Sequence, residues 1–212
     1  MATLSTLFED PWMFLVFVIV FLFTLAIHEF SHALAAHLLG DPTPERAHRL
    51  TLNPFAHVDL IGFIALVTVG FGWGKPVPFN PYNLKYPRWG AAIVAGAGPI
   101  SNLLFGSVCA ILLRFLAPLL GDQNLLTIFL ASGALLNFLL MFFNLIPLPP
   151  LDGSKALFAI LAAERYRTIR LWIETRGPML LMALIVLDVV LGLGVFAWIP
   201  LAARALLRLF LV

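Results

Sequence analysis

The run from Trp12 to Leu39, WMFLVFVIVFLFTLAIHEFSHALAAHLL, is long and apolar enough to enter a bilayer, yet it carries His28, Glu29 and His32. About 20 apolar residues cross hydrocarbon as a helix, and only helices and closed barrels satisfy their own backbone there. The chain is therefore committed to a membrane helix bearing three ionisable side chains, which are costly at that depth. A helix advances about 100° per residue, so His28 and His32, four apart, stand one above the other on one face. That is the spacing at which two imidazoles grip one zinc ion, with Glu29 beside them as a base for water at the metal. The plain alternative is a hydrogen-bonded histidine pair packed against a neighbouring helix. Hydrolysis within the membrane accounts for both the spacing and the cost.

The rest of the chain fits a membrane protein. Of 212 residues, 61% are hydrophobic and 11% charged, against about 45–50% and about 25% in a soluble domain. The expectation is an all-α multi-pass membrane protein forming a single membrane-embedded domain over 1–212. A net charge of +2 gives no reason to expect nucleic acid, and the lone Cys109 has no internal disulfide partner. The N-terminus lacks the basic region of a signal peptide, so the first apolar segment is expected to be retained.

Gly40, Asp41 and Pro42 end a first helix over 11–39. Segment 40–88 is more polar and rich in turn formers; within it IGFIALVTVGFGW is apolar but broken by glycine. It is either a short re-entrant segment or a pair of β-strands, and VTV and PVPF, β-type runs near turn residues, favour strands. Core helices follow over 89–120 and 125–152, the second ending in the proline-broken NLIPLPPLDG. Segment 153–212 supplies the C-terminal helices: a short one in KALFAILAAERYRTIRLWIE, a last span from about Pro178 to Ile199, and an apolar tail. In all, about four to six membrane helices are expected, with a small β-strand or re-entrant element after the first.

Basic residues concentrate in 40–88 (Arg46, Arg49, Lys75, Lys85, Arg88) and 153–177 (Lys155, Arg165, Arg167, Arg170, Arg176). The positive-inside rule puts both segments in the cytoplasm and the N-terminus outside. His28 and His32 then lie in the cytoplasmic half of the first span.

A catalytic zinc usually takes three protein ligands and keeps one position open. His37 falls on the opposite helix face from His28; His48 and His57 lie in the polar segment. Asp152, next to Gly153 on proline-broken backbone, returns to the same side as the histidines. Its plain alternative is a helix N-cap. Asp188, alone in the last span, is its rival.

Taken together, these segments resemble the site-2 protease family of intramembrane zinc metalloproteases, in its compact prokaryotic form. HEFSHALAAHLLGD is similar to that family's zinc helix. NLIPLPPLDG matches its Asn-x-x-Pro-x-Pro-x-x-Asp-Gly element, with Asn144, Pro147, Pro149, Asp152 and Gly153 in place. RLTLNPFAHVD (Arg49–Asp59), GWGKPVPFNPYNL (Gly72–Leu84) and AGPISN (Ala97–Asn102) match intervening segments. The resemblance covers residues 12 to about 160. It implies that His28, His32 and Asp152 bind one Zn2+ per chain, that Glu29 is catalytic, and that Asn144 lines the active site. The plain alternative for Asn144 is a helix C-terminal cap at a proline break. Larger relatives carry PDZ or CBS domains; no polar stretch here approaches the ~50 residues of a small domain.

The implied partners are transmembrane-helix protein substrates and the lipid bilayer, in a prokaryotic cell membrane. The substrate helix must partly unwind, and strands within 60–80 would receive it by strand addition. Two other classes stay open. A metal or proton transporter would carry further acids or histidines along several spans. A catalytically idle scaffold would bind substrate helices without cutting them.

Overall fold

The structure, a computed structural model, describes residues 9–69 and 72–212. It is 74% helical, with helices α1 (Pro11–Leu38), α2 (Thr43–Arg46), α3 (Leu60–Val69), α4 (Gly90–Leu120), α5 (Leu125–Asn144), α6 (Gly153–Ile160), α7 (Arg167–Leu191) and α8 (Trp198–Leu211). Three are long and apolar enough to cross a membrane: α1, α4 and α5. At 1.5 Å per residue, their 28, 31 and 20 residues reach roughly 42, 46 and 30 Å against a hydrocarbon core of about 30 Å.

Two of the spans are started, and the third is ended, by local chemistry. Pro11 occupies the first turn of α1, and the Asp10 carboxylate accepts from the amides of Trp12 and Met13. This satisfies two of the donors that a helix start leaves free. Asn124 does the same for α5 through the amide of Leu126. Gly121, in the left-handed region at φ 81°, ends α4.

The three spans run antiparallel in sequence order, and small residues let them close on one another. Ala36 packs with Val94, and His28 bonds Asn102, so α1 residues running down meet α4 residues running up. Between α4 and α5, a Cβ on Gly106 would lie 2.7 Å from the Phe138 ring, and one on Gly133 would lie 3.2 Å from Cys109 Sγ. Cys109, Ala110, Leu113, Leu130, Ala134 and Phe138 form the apolar core there, and Ala203 of the amphipathic α8 closes it. The C-terminal end of α1, the N-terminal end of α4 and the C-terminal end of α5 therefore meet at one end of the bundle.

Two expectations are corrected. The strand element is absent among the described residues. VTV lies in α3, because LIGFIALVTV is a largely apolar decapeptide whose one glycine, Gly62, stands near its start. PVPF is non-helical chain carrying two prolines that cannot donate to a ladder. A single antiparallel bridge, Val58 to Gly74, is all the β-pairing seen there. The expected four to six membrane helices are also not found: among the described residues three qualify. The predicted short helix after Gly153 and the last span are redistributed. α6 stops at Ile160, and α7 runs from Arg167 through Pro178 to Leu191. The half of α7 before Pro178 carries Arg167, Arg170, Glu174 and Arg176, which leaves too short an apolar stretch to cross. α8, with 14 residues, reaches only about 21 Å.

Candidate metal centre

His28, Glu29 and His32 are buried in the second half of α1, at 5%, 9% and 8% exposure. The two imidazoles pack edge to face with centroids 4.6 Å apart, the stacking that an i, i+4 pair dictates. Asp152 arrives from the far side of the chain. The prolines after Ile146 stop α5, and the chain turns back so tightly that a Cβ on Gly153 would sit 2.4 Å from the Leu145 carbonyl oxygen. Only glycine fits that approach. Asp152 occupies the N-cap position of α6 but makes no capping bond; its carboxylate faces the histidines instead.

Three ligand atoms converge. His28 Nε2 and His32 Nε2 are 3.1 Å apart, and each is 3.3 Å from Asp152 Oδ2. A tetrahedral ion with bonds of about 2.0–2.1 Å needs ligand atoms roughly 3.3–3.4 Å apart. The protonation pattern points the same way. His28 Nδ1 lies 2.5 Å from Asn102 Oδ1, and His32 Nδ1 lies 2.8 Å from the Val94 carbonyl oxygen. Those oxygens accept, so both Nδ1 atoms carry a proton and the Nε2 atoms are the ones left to ligate. Two Nε2 atoms and a carboxylate oxygen packed this closely must share a cation, a proton or a metal ion. Asp152 Oδ2, buried and without a well-directed hydrogen bond, completes a donor set suited to a divalent metal. Among the described residues this is the one group of three or more His, Cys, Asp or Glu side chains able to hold such an ion.

α4 supplies the other wall. Pro99 lies inside α4 and cannot donate to the Ala95 carbonyl. Next to it, Gly98 faces the histidines: a Cβ there would lie 2.6 Å from His28 Cε1 and 2.6 Å from His32 Nε2. Val94, Gly98 and Asn102, four apart, form one stripe that matches the four-residue spacing of the ligands.

Glu29 Oε2 accepts from the Val77 amide at 3.2 Å, which draws the non-helical segment 75–80 alongside the site. That segment is held at further points. The Lys75 amide donates to the His57 carbonyl oxygen at 2.8 Å, Arg49 Nη2 donates to the Lys75 carbonyl, and the Asn80 amide donates to Asp41 Oδ2 at 2.6 Å.

The remaining candidates lie elsewhere. His37 pairs with Glu45 at 3.2 Å. His48 sits at a positive φ of 55° after α2. His57 is fully buried and donates through Nε2 to the Thr51 carbonyl. Asp188 accepts from the amides of Val195 and Phe196, closing the α7–α8 turn. Asn144, last residue of α5, donates to the Leu140 carbonyl of its own helix. Sequence reasoning passed over Val94. Gly98 and Asn102 stood inside the quoted AGPISN, Gly98 as a residue that lets helices close, but neither carries a mark of the histidines it faces.

Comparison with known proteins agrees with this chemistry. Residues 120–187 match the model of Peptidase family M50, a region that holds Asn144 and Asp152. The chain is 39% identical over 143 residues to the "Putative zinc metalloprotease YwhC" of Bacillus subtilis (strain 168), a match covering 65% of each chain. It is 34% identical over 158 residues to the "Putative zinc metalloprotease Rip2" of Mycolicibacterium smegmatis, covering 70% of this chain and 58% of that one. The Rip2 of Mycobacterium tuberculosis (strain H37Rv) is likewise 34% identical over 157 residues, with 70% and 58% coverage. The chain thus spans just under two thirds of the Bacillus relative and under three fifths of the mycobacterial ones. No solved structure matches it.

Proposed function

We propose that this chain, which belongs to peptidase family M50, the site-2 proteases, is a zinc endopeptidase that cuts membrane proteins within or near their transmembrane segments. Residues 1–212 act as one membrane-embedded catalytic domain. The observation that carries this is the convergence of His28 Nε2, His32 Nε2 and Asp152 Oδ2, with Glu29 buried next to His28 on the same helix. These three residues would hold the metal. Zinc, when bound there, supplies a Lewis acid that acidifies water and polarises a carbonyl.

The chain's own groups do the rest. Glu29 takes the proton of the attacking water and hands it to the leaving amine. In the resting state its Oε2 is occupied by the Val77 amide, so segment 75–80 both orients the base and borders the path of the substrate. Asn144, after rotating away from Leu140, offers its amide to the developing oxyanion. The apolar walls of α1 and α4 exclude bulk water, while the site's place at one end of the bundle leaves it a short route in. The loop charges put that end in the cytoplasmic half of a prokaryotic cell membrane, with the N-terminus outside. α5 carries no ionisable residue, so a transport path with stations along several spans has little support.

The deciding experiment measures zinc content and cleavage of a model transmembrane substrate by the purified protein, wild type beside Glu29→Gln. Gln keeps the size and hydrogen bonding of Glu but cannot accept the proton. The variant should keep its zinc and lose about 10²–10⁴-fold in kcat. Turnover near wild type would remove Glu29 as the base.

A further inference from the structure

His28 is held by a longer device than His32. Asn102 and Asn137 are fully buried and Thr24 nearly so, and they link into a chain across all three spans. Asn102 Nδ2 donates to Asn137 Oδ1 at 2.8 Å. Asn137 Nδ2 donates to the Gly133 carbonyl oxygen at 2.8 Å and to Thr24 Oγ1 at 2.8 Å.

The direction of this chain is forced. A backbone carbonyl can only accept, so the group of Asn137 facing Gly133 must be its NH2. Its oxygen then faces Asn102, which must answer with its own NH2. That turns Asn102 Oδ1 toward His28, and an oxygen accepts only from Nδ1–H. Rotating either amide would set NH2 against NH2 or oxygen against oxygen in a buried site, where an unpaired polar group is costly. His32 is fixed by one carbonyl directly, that of Val94. His28 is fixed by another, that of Gly133, through two side chains.

We propose that Asn102 and Asn137 are positioning residues that relay the polarity of the Gly133 carbonyl to His28, presetting it with Nδ1 protonated and Nε2 free to ligate. The metal role of His28 rests on the function proposed above; the preset tautomer does not. Outer partners of ligating histidines typically contribute about 10–100-fold in metal affinity. Asn137, on α5 and touching no ligand, should therefore influence metal binding through Asn102 alone.

The test uses the full chain in detergent or nanodiscs. Imidazole 15N NMR on metal-free protein reads the His28 tautomer, with His28→Ala to assign the signal. Chelator competition reads zinc affinity. Metal-free wild type should show His28 protonated at Nδ1; protonation at Nε2 would overturn the relay without any variant. Asn137→Leu frees the Asn102 amide to turn, so it should mix the tautomers and weaken zinc binding by about 10-fold or more. Asn102→Asp presents oxygen whichever way it turns. Added to Asn137→Leu, it should restore affinity to within a few fold. A loss that Asn102→Asp does not rescue would make Asn137 a packing residue and overturn the proposal, as would unchanged affinity in Asn137→Leu. If His28→Ala binds zinc as wild type does, the metal reading fails, while the tautomer measurement still decides the relay.

Discussion

At the scale of single residues, the site depends on what is missing from a side chain as much as on what is present. Gly98 has no Cβ, and one placed there would lie 2.6 Å from atoms of both histidines. Gly98→Ala should improve helix propensity by about 1 kcal/mol yet push the two imidazoles out of register. Zinc affinity should fall at least about 10-fold while helix content by circular dichroism is kept; wild-type affinity would show that α4 can yield. The two candidate acids separate just as sharply. Asp152→Ala removes one of three ligands and should abolish stable zinc binding. Asp188→Asn only weakens a turn between α7 and α8 and should leave zinc content and cleavage near wild type. Zinc analysis of the two purified variants decides, and the reverse pattern would move the third ligand to Asp188.

At the scale of elements, the chain around the site is tied down by buried polar clamps, Asp41 among them. It is fully buried just after α1 and accepts from Thr43, Asn80 and Asn83. Burial alone would push its pKa up, but the hydrogen bonds from Thr43, Asn83 and Asn80 outweigh that and hold it below the usual carboxylate value. A depressed folded pKa gives stability that is present above the unfolded value of about 3.9 and is lost as pH falls through the folded one. Asp41→Ala should cost about 1–3 kcal/mol, and Asp41→Asn less. The gap between wild type and Asp41→Asn should stay flat from pH 8 to 5 and narrow below about pH 4, read by thermal unfolding in detergent; a gap unchanged by acid would mean that the charge is not what the clamp uses. These clamps also explain what was legible in the sequence. The zinc helix, the proline stop before Asp152 and the core spans could be read because each rests on local rules of hydropathy, i, i+4 spacing and proline chemistry. Segment 60–80 could not, because β-type residues such as VTV take helix when apolar surroundings reward internally bonded backbone. The last span failed for a related reason: α7 continues through Pro178, a position that sequence rules treat as a boundary. Asn102 escaped notice because its partner is 74 residues away.

At the scale of the whole molecule, the proposed function makes the position of the site along the bundle set where a substrate can be cut. His28 lies ten residues before the end of α1, about 15 Å along the axis, so the ligand cluster sits inside the apolar span and off its centre. A substrate helix reaching that level hides its carbonyls in its own hydrogen bonds, and attack requires a stretch of it to unwind. Gly lowers the cost of leaving the helix by about 1 kcal/mol and Pro by about 3 relative to Ala, which corresponds to roughly 5-fold and more than 100-fold in the population of the opened form. Cleavage of Leu-rich model spans should therefore quicken when one Gly, Asn or Pro is placed in the cytoplasmic half, level with His28 and His32, and change little when it is placed in the outer half. A series of substrates differing only in the depth of that residue, assayed with wild-type protein in proteoliposomes, checks both parts at once. Rates independent of depth would remove the unwinding requirement. Acceleration confined to the outer half would reverse the orientation drawn from the loop charges, because the same end of the bundle must hold Asp152, the start of α4 and the open route for water.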